Sequence, residues 1–328
     1  MQSYSLRVED ARTVATRAEV ARPVAGAGQL LLRVRAAGLN RGEFIPGGLA
    51  AKAGTSKPAG IEAAGEIVAC GEGVTGWHIG QRVMGRCPGA FSEFALMDVR
   101  EAMPMPASLS FEEAAAVPLV FLVVHDMLLR QGRLAAGEWL LITGVSSGVG
   151  VAALQAAKAL GARVIGTSGS DYKLQRLQAL GLDVGLHTRQ SDFFDAVMQA
   201  TAGHGADLVV NTVGGSLFAE CVRTMAFEGR LATVGYVDHT LKAEIDIQAL
   251  HVKRLTLFGV SNKLRSAEQR AAAVPAFVAD LLPLFADGRL RPVLDRVFPF
   301  AELAAAQAHM EANRHLGKIV LAVDPHIN

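Results

Sequence analysis

WLLITGVSSGVGVAALQAAKALG, residues 139–161, carries the reading of the fold. Its first four residues are apolar without alternation, as in a strand buried on both faces of a parallel sheet. A glycine-containing turn follows, then an alanine-rich run long enough for a helix. Backbone N–H groups at such a helix start bind a pyrophosphate, and small residues let the phosphates approach. Gly148 and Gly150 allow that approach and a close packing of helix on sheet. The spacing departs from G-x-G-x-x-G, since Ser147 stands where a glycine is commoner. With a strand before it and a helix after it, the turn is expected to bind a dinucleotide through Ser146, Ser147, Gly148 and Val149.

Beyond this unit, strand-like and helical stretches keep alternating. RVIGTS (163–168), DYKLQRLQALG (171–181), SDFFDAVMQATAG (191–203), DLVVNTVG (207–214), LFAECVRTMAF (217–227), GRLATVG (229–235) and LTLFGVS (255–261) follow in turn. Repeated strand, crossover helix and strand predict a doubly wound α/β sheet of Rossmann type. An NAD site usually carries Asp or Glu at the end of the second strand, to accept from the ribose 2′-hydroxyl. Here that strand ends in Thr167-Ser168, and Asp171 comes three residues later. A 2′-phosphate would be repelled by a carboxylate and welcomed by Ser168, Lys173 and Arg189. The expected cofactor is therefore NADPH.

Toward the N-terminus the texture is β. QLLLRVRAAGLN (29–40) places Leu30, Leu32 and Val34 on one face, and GIEAAGEIVAC (60–70), QRVM (81–84) and AFSEFALM (90–97) read as further strands between glycine turns. Ser110 with Glu112 and Glu113 starts a buried helix through AAAVPLVFLVV, whose eleven residues fall short of the ~20 needed to span a membrane. After Ser261 the pattern predicts a long helix to about Ala286, a strand at 292–298, a helix at 300–314 and a last strand at 317–323.

At 328 residues, with 51% hydrophobic and 19% charged side chains, the chain suits about two domains with full cores. Its 32 basic and 31 acidic residues are interspersed, which excludes a dedicated nucleic-acid or membrane surface. Cys70, Cys87 and Cys221 are too few and too scattered for a disulfide scaffold or a structural zinc. MQSYSLRVEDARTV lacks a signal-type apolar stretch, and a cytoplasmic location is expected.

Several separated segments resemble one family over essentially the whole chain. They are AGLNRGE (37–43), PAGIEAAGEIV (58–68), GQRV (80–83), GAFSEF (89–94), the turn at 144–150, NTVGG (211–215), GRLATVG (229–235) and GKIVL (317–321). The chain is similar to the zinc-independent quinone oxidoreductase branch of the medium-chain dehydrogenase/reductase superfamily. The resemblance implies a GroES-like β-barrel domain (1–120 and 264–328) and an inserted Rossmann domain (121–263), with NADPH in the cleft between them. It also removes the metal. Asn40 and Ile61 stand where relatives with zinc have a cysteine and a histidine ligand, and neither suits a catalytic zinc. The third ligand and the four-cysteine lobe have no counterpart. Glu62 is left with a structural role.

By the same resemblance Asn40 faces the nicotinamide end and Glu43 matches an acidic position of the family motif, in a direct or a supporting role. Val123, Val213, Gly235, Ser261 and Asn262 border the cofactor. Lys318 matches a basic position near the pyrophosphate. Tyr236 follows a Rossmann strand, at the end where ligands bind. His125 is either a packing residue or a proton donor, and Cys87 is expected to pack. Relatives often carry a tyrosine where Ile45 stands. The expected activity is hydride transfer from NADPH to a quinone or α,β-unsaturated carbonyl. Reduction of an enoyl thioester is an alternative, as is an NADPH-binding redox sensor with little turnover. The resemblance implies a homodimer joined through strand 255–261. Acceptor choice would depend partly on the Gly/Ala-rich loop 41–59.

Overall fold

The computed structural model describes residues 1–9, 12–45 and 55–323, so part of the 41–59 loop, residues 46–54, lies outside it. Two compact units divide the chain: Met1–Leu119 with the segment from Ser266 onward, and Val120–Arg265. The first unit opens with strands β1 (Gln2–Glu9), β2 (Arg12–Glu19) and β3 (Gln29–Gly38), a one-turn helix α1 (Arg41–Phe44) and strand β4 (Ser56–Pro58). Strands β5 (Glu62–Cys70), β6 (Arg82–Arg86), β7 (Phe94–Asp98) and β8 (Ala102–Pro104) precede helix α2 (Phe111–Ala115). Helix α3 (Pro118–His125) carries the chain into the second unit.

The second unit contains β9 (Trp139–Thr143), α4 (Gly148–Ala159), β10 (Arg163–Ser168), α5 (Asp171–Gln178), β11 (Val184–His187) and α6 (Phe194–Ala200). It continues with β12 (Ala206–Asn211), α7 (Phe218–Thr224), β13 (Met225–Thr233), α8 (Ile247–Val252) and β14 (Thr256–Gly259). Its six strands are all parallel, in the order β11-β10-β9-β12-β13-β14. The order reverses between β9 and β12, and in such sheets ligands bind at the carboxyl ends of the strands beside that switch point. The core is the continuous apolar runs of the strands: Leu140, Leu141, Ile142, Val164, Ile165, Leu208, Val209, Val210 and Leu231 are fully buried. Small residues bring α4 close to the sheet. A Cβ on Gly150 would stand 2.6 Å from the Gly144 carbonyl oxygen and 2.7 Å from Val145 Cα, both backbone atoms that do not yield.

The chain returns to the first unit through α9 (Ala267–Ala271), α10 (Val274–Asp280), α11 (Leu282–Ala286), β15 (Leu294–Pro299), α12 (Leu303–Glu311) and β16 (Lys318–Ala322). Strands β15, β16, β3, β5, β6 and β8 pair in that order, with β7 also on β3, and β2-β1-β4 form a small second sheet. Leu30, Leu32, Val34, Ile67, Phe91, Met97 and Leu321 share the core of this unit.

The single helix expected after residue 261 is three short ones. Pro275 and Pro283 each take the first or second position of a new helix, because proline cannot donate to the preceding turn. Pro118 breaks the helix expected from Ser110 in the same way, into α2 and α3. At its start Ser110 caps α2, accepting from the Glu113 backbone, while the Glu113 carboxylate accepts from the Ser110 N–H.

Candidate active site

In the second unit, the turn after β9 is fixed from three sides. Gly144, with φ 65°, donates to Thr167 Oγ1 (3.2 Å), and Val145 donates to the Thr167 carbonyl (3.0 Å). Ser147 caps α4 by accepting from the Gly150 N–H at 3.1 Å. The first residues of the helix, Gly148 and Val149, belong to the turn whose N–H groups have no acceptor within the helix, which is the arrangement that receives a phosphate. Ser146 Oγ lies 3.2 Å from Ser168 Oγ at the end of β10, so two hydroxyls expected at the cofactor meet. Lys173 lies in the first turn of α5, where its N–H donates to the cap Ser170. Arg189 is exposed just beyond β11.

Across the switch point, Asn211 is fully buried, and its amide folds the turn that follows β12. Its Oδ1 accepts from Val213 N (3.0 Å), Gly214 N (3.1 Å) and Thr143 Oγ1 (3.1 Å), and its Nδ2 donates to the Gly214 carbonyl (2.9 Å). Asp238 then ties this turn to the one after β13. Its carboxylate accepts from Ser216 N (2.8 Å) and Thr240 N (2.9 Å), its N–H donates to the Val213 carbonyl, and a Cβ on Gly214 would overlap it. Those hydrogen bonds hold the Asp238 carboxyl below its usual range against a desolvation that pushes it up. Val213, Gly235 and Tyr236 are thereby set on neighbouring strand ends, with the Tyr236 side chain 59% exposed. Asn211 and Asp238 were not among the expected site residues. Asn211 was legible as an amide ending an apolar strand; Asp238 had no sequence signal. Ser261 and Asn262 follow β14, Ser261 Oγ accepting from Lys263 N. On α3, Val123 is half-buried and His125 fully buried.

The first unit holds a second constellation: Asn40, Glu43, Glu62 and Lys318. Lys318, expected near a pyrophosphate, is turned inward. Its ammonium donates to Glu62 Oε1 (2.7 Å), Asn40 Oδ1 (2.9 Å) and the Leu39 carbonyl (3.0 Å), which uses all three of its protons. Glu62 is fully buried; its other oxygen accepts from Leu119 N at 2.8 Å. Gly38 leaves room for that carboxylate, since a Cβ there would lie 2.5 Å from Glu62 Oε1. Asn40, expected to face a nicotinamide or acceptor, spends its Nδ2 on Glu62 Oε1 (2.8 Å) and Glu43 Oε1 (3.2 Å).

Glu43 completes the group. Its Oε1 also accepts from the Asn40 backbone at 3.1 Å, while Oε2 is buried without a hydrogen-bond partner among the described residues. Burial pushes its carboxyl up to about 8; the Asn40 hydrogen bond and the Lys318 ammonium oppose this, and the Glu62 charge adds to it. At neutral pH it is chiefly a neutral acid. This donor set does not fit zinc: the Asn40 amide is already spent on two carboxyl groups, position 61 holds an isoleucine with no donor atom, and the Lys318 ammonium sits on Glu62, where it opposes a divalent cation. Among the described residues no three His, Cys, Asp or Glu are grouped to hold a metal. Cys87 is fully buried, with Sγ 3.5 Å from the Leu96 carbonyl oxygen, and burial pushes its thiol up to about 12, surroundings that suit packing.

Two family models match the chain: an alcohol dehydrogenase GroES-like domain over residues 26–107, and a zinc-binding dehydrogenase over residues 148–277. Among curated proteins, a phenolphthiocerol/phthiocerol polyketide synthase polypeptide of Mycobacterium tuberculosis is 32% identical over 300 residues, which cover 91% of this chain and only 14% of that one. Among solved structures, the CurK enoyl reductase is 26% identical with a TM-score of 0.81, covering 98% of this chain and 99% of the other. A mycobacterial quinone oxidoreductase is 25% identical with a TM-score of 0.85, covering 98% and 100%. A mycobacterial protein solved in complex with NADPH is 25% identical with a TM-score of 0.84, covering 98% and 100%.

Proposed function

The chain belongs to the medium-chain dehydrogenase/reductase superfamily, with a GroES-like unit and a Rossmann unit, and from that premise we propose that it is an NADPH-dependent reductase of quinones or α,β-unsaturated carbonyl compounds. The observation that carries the cofactor choice is the end of β10, where Ser168 meets Ser146 and no carboxylate occupies the tip. NADPH supplies a hydride from its nicotinamide ring. The start of α4 receives the pyrophosphate, and Ser146, Ser168, Lys173 and Arg189 take the 2′-phosphate. The Val213–Gly214 and Gly235–Tyr236 turns, locked by Asn211 and Asp238, border the nicotinamide half.

The Asn40–Lys318 constellation offers no ligand set for a Lewis-acid ion, which favours an acceptor whose double bond is already electron-poor. Enzymes of this kind act by holding donor and acceptor in near-attack geometry. A second reading, reduction of an enoyl thioester, is favoured by the polyketide synthase relatives and by the likeness to an enoyl reductase. We also propose a homodimer paired through β14, which stands at an open edge of the six-stranded sheet.

The test is steady-state oxidation of NADPH with an ortho-quinone, a simple enone and a crotonyl thioester offered in parallel, with NADH as the cofactor control. Turnover of the quinone or enone supports the first reading, and turnover of the thioester alone moves the assignment to the second. NADPH binding with no turnover of any of the three overturns both and leaves a redox-sensing role.

A further inference from the structure

The loop that follows β11 is built around Arg189. Thr188 Oγ1 donates to Asp192 Oδ1 at 2.6 Å and accepts from Gln190 N at 2.9 Å, so the residues on both sides of Arg189 are tied together. Strands β10 and β11 are in register with Ser168 beside His187, which brings this loop next to Gly169. The Arg189 side chain lies across that glycine. A Cβ built on Gly169 would overlap Arg189 Nε and stand 2.6 Å from its Cγ and Cδ. The backbone at Gly169 is outside the left-handed region, so its conformation accepts any residue. Space for Arg189, and not backbone geometry, is what glycine provides there. Close by, the Asp171 carboxylate that would repel a phosphate is occupied by His187 Nδ1 at 3.0 Å.

We propose that Gly169 is a specificity-determining residue: by lacking a side chain it lets Arg189 lie over the end of β10 beside Ser168, where its guanidinium meets the 2′-phosphate of NADPH. The inference rests on the NADPH reading above and deepens it. Gly169 makes no contact with the phosphate in this scheme and acts only through the placement of Arg189. A guanidinium binds phosphate through paired N–H donors, so a displacement of the fork by a methyl group is enough to break the geometry.

The experiment compares wild type, Gly169→Ala, Arg189→Gln and the double variant, by kcat/KM for NADPH and for NADH and by calorimetric binding of adenosine 2′-monophosphate. Gly169→Ala is expected to weaken 2′-phosphate binding and lower kcat/KM for NADPH by about tenfold or more, with NADH changed less than about twofold. The double variant should match Arg189→Gln, because the methyl has nothing left to displace. Parallel losses with both cofactors, losses that multiply in the double variant, or a Gly169→Ala protein that still prefers NADPH and binds the 2′-phosphate normally would each overturn the role of Gly169. A wild type that neither prefers NADPH nor binds adenosine 2′-monophosphate overturns the cofactor reading itself.

Discussion

Replacing Lys318 by methionine tests whether the buried constellation of the first unit is held together by charge. The side chains of Lys318 and Glu62 are 8% and 0% exposed, and Nζ sits 2.7 Å from Oε1. Methionine keeps most of the length and apolar volume of lysine, so the loss is one of charge and three donated hydrogen bonds. Removing one member of a buried pair costs about 3–5 kcal/mol, chiefly because the other charge is stranded. Glu62 would keep two donors, Asn40 Nδ2 and Leu119 N, both at 2.8 Å, which places the expectation at the lower end, about 3 kcal/mol. Adding Glu62→Gln removes the stranded charge, and the double variant should recover at least about 1 kcal/mol of that loss. The assay is urea unfolding followed by tryptophan fluorescence. The chain has two tryptophans, Trp77 in the first unit and Trp139 in the second, so a Trp139→Phe background reports on the unit that holds the pair. A single-variant loss below about 1 kcal/mol, or a double variant less stable than the single, would refute the reasoning.

Glu43→Gln should remove a pH dependence of stability. The folded carboxyl is raised from 4.5 to about 8, so the native state holds the proton more tightly than the unfolded chain, and this contribution is complete below 4.5 and lost as the pH rises through 8. Its upper bound is about 5 kcal/mol across that window, and the glutamine variant should lie flat where wild type declines, as read by denaturation midpoints between pH 5 and pH 9; equal slopes for the two proteins would contradict a buried neutral acid. Asp238→Ala should loosen the turns after β12 and β13 by freeing Ser216 N and Thr240 N, raising the KM for NADPH about three- to tenfold while leaving the affinity for adenosine 2′-monophosphate unchanged. A loss of 2′-phosphate binding in that variant would show that the effect spreads beyond the nicotinamide half.

What could be read from the chain divides by distance along it. The cofactor half of the site is local: a strand, a turn and a helix start lie within residues 139–161, and Ser168 is one strand further on, so periodicity and turn chemistry reach it. Short elements escaped. Strand β11 is four residues, VGLH, with a glycine in the middle, and β2, RTVATRAE, has little apolar character to mark it; β1, QSYSLRVE, was legible, with Tyr4, Leu6 and Val8 in period two. The broken helices were legible in principle, because Pro118, Pro275 and Pro283 stand in plain view, but apolar periodicity runs through each proline and outweighs it. The constellation of the first unit is of another kind. Glu62 and Lys318 meet across 256 positions, Asn40 and Lys318 across 278, and only the pairing of β16 with β3, and of β3 with β5, brings them together. The lysine that the resemblance places near a pyrophosphate donates its three protons to Glu62, Asn40 and the Leu39 carbonyl. Gly38 leaves the space that the Glu62 carboxylate fills, and the Ala115 carbonyl oxygen borders the same space. A Gly38→Ala substitution would set a methyl 2.5 Å from both Glu62 Oε1 and the backbone oxygen of Ala115, and is expected to push the Glu62 carboxylate off Lys318 and lower stability by about 1–3 kcal/mol in urea unfolding. In the Lys318→Met/Glu62→Gln protein, where glutamine fills the same volume, crowding alone should cost as much again, and a clearly smaller cost would assign the difference to the ion pair.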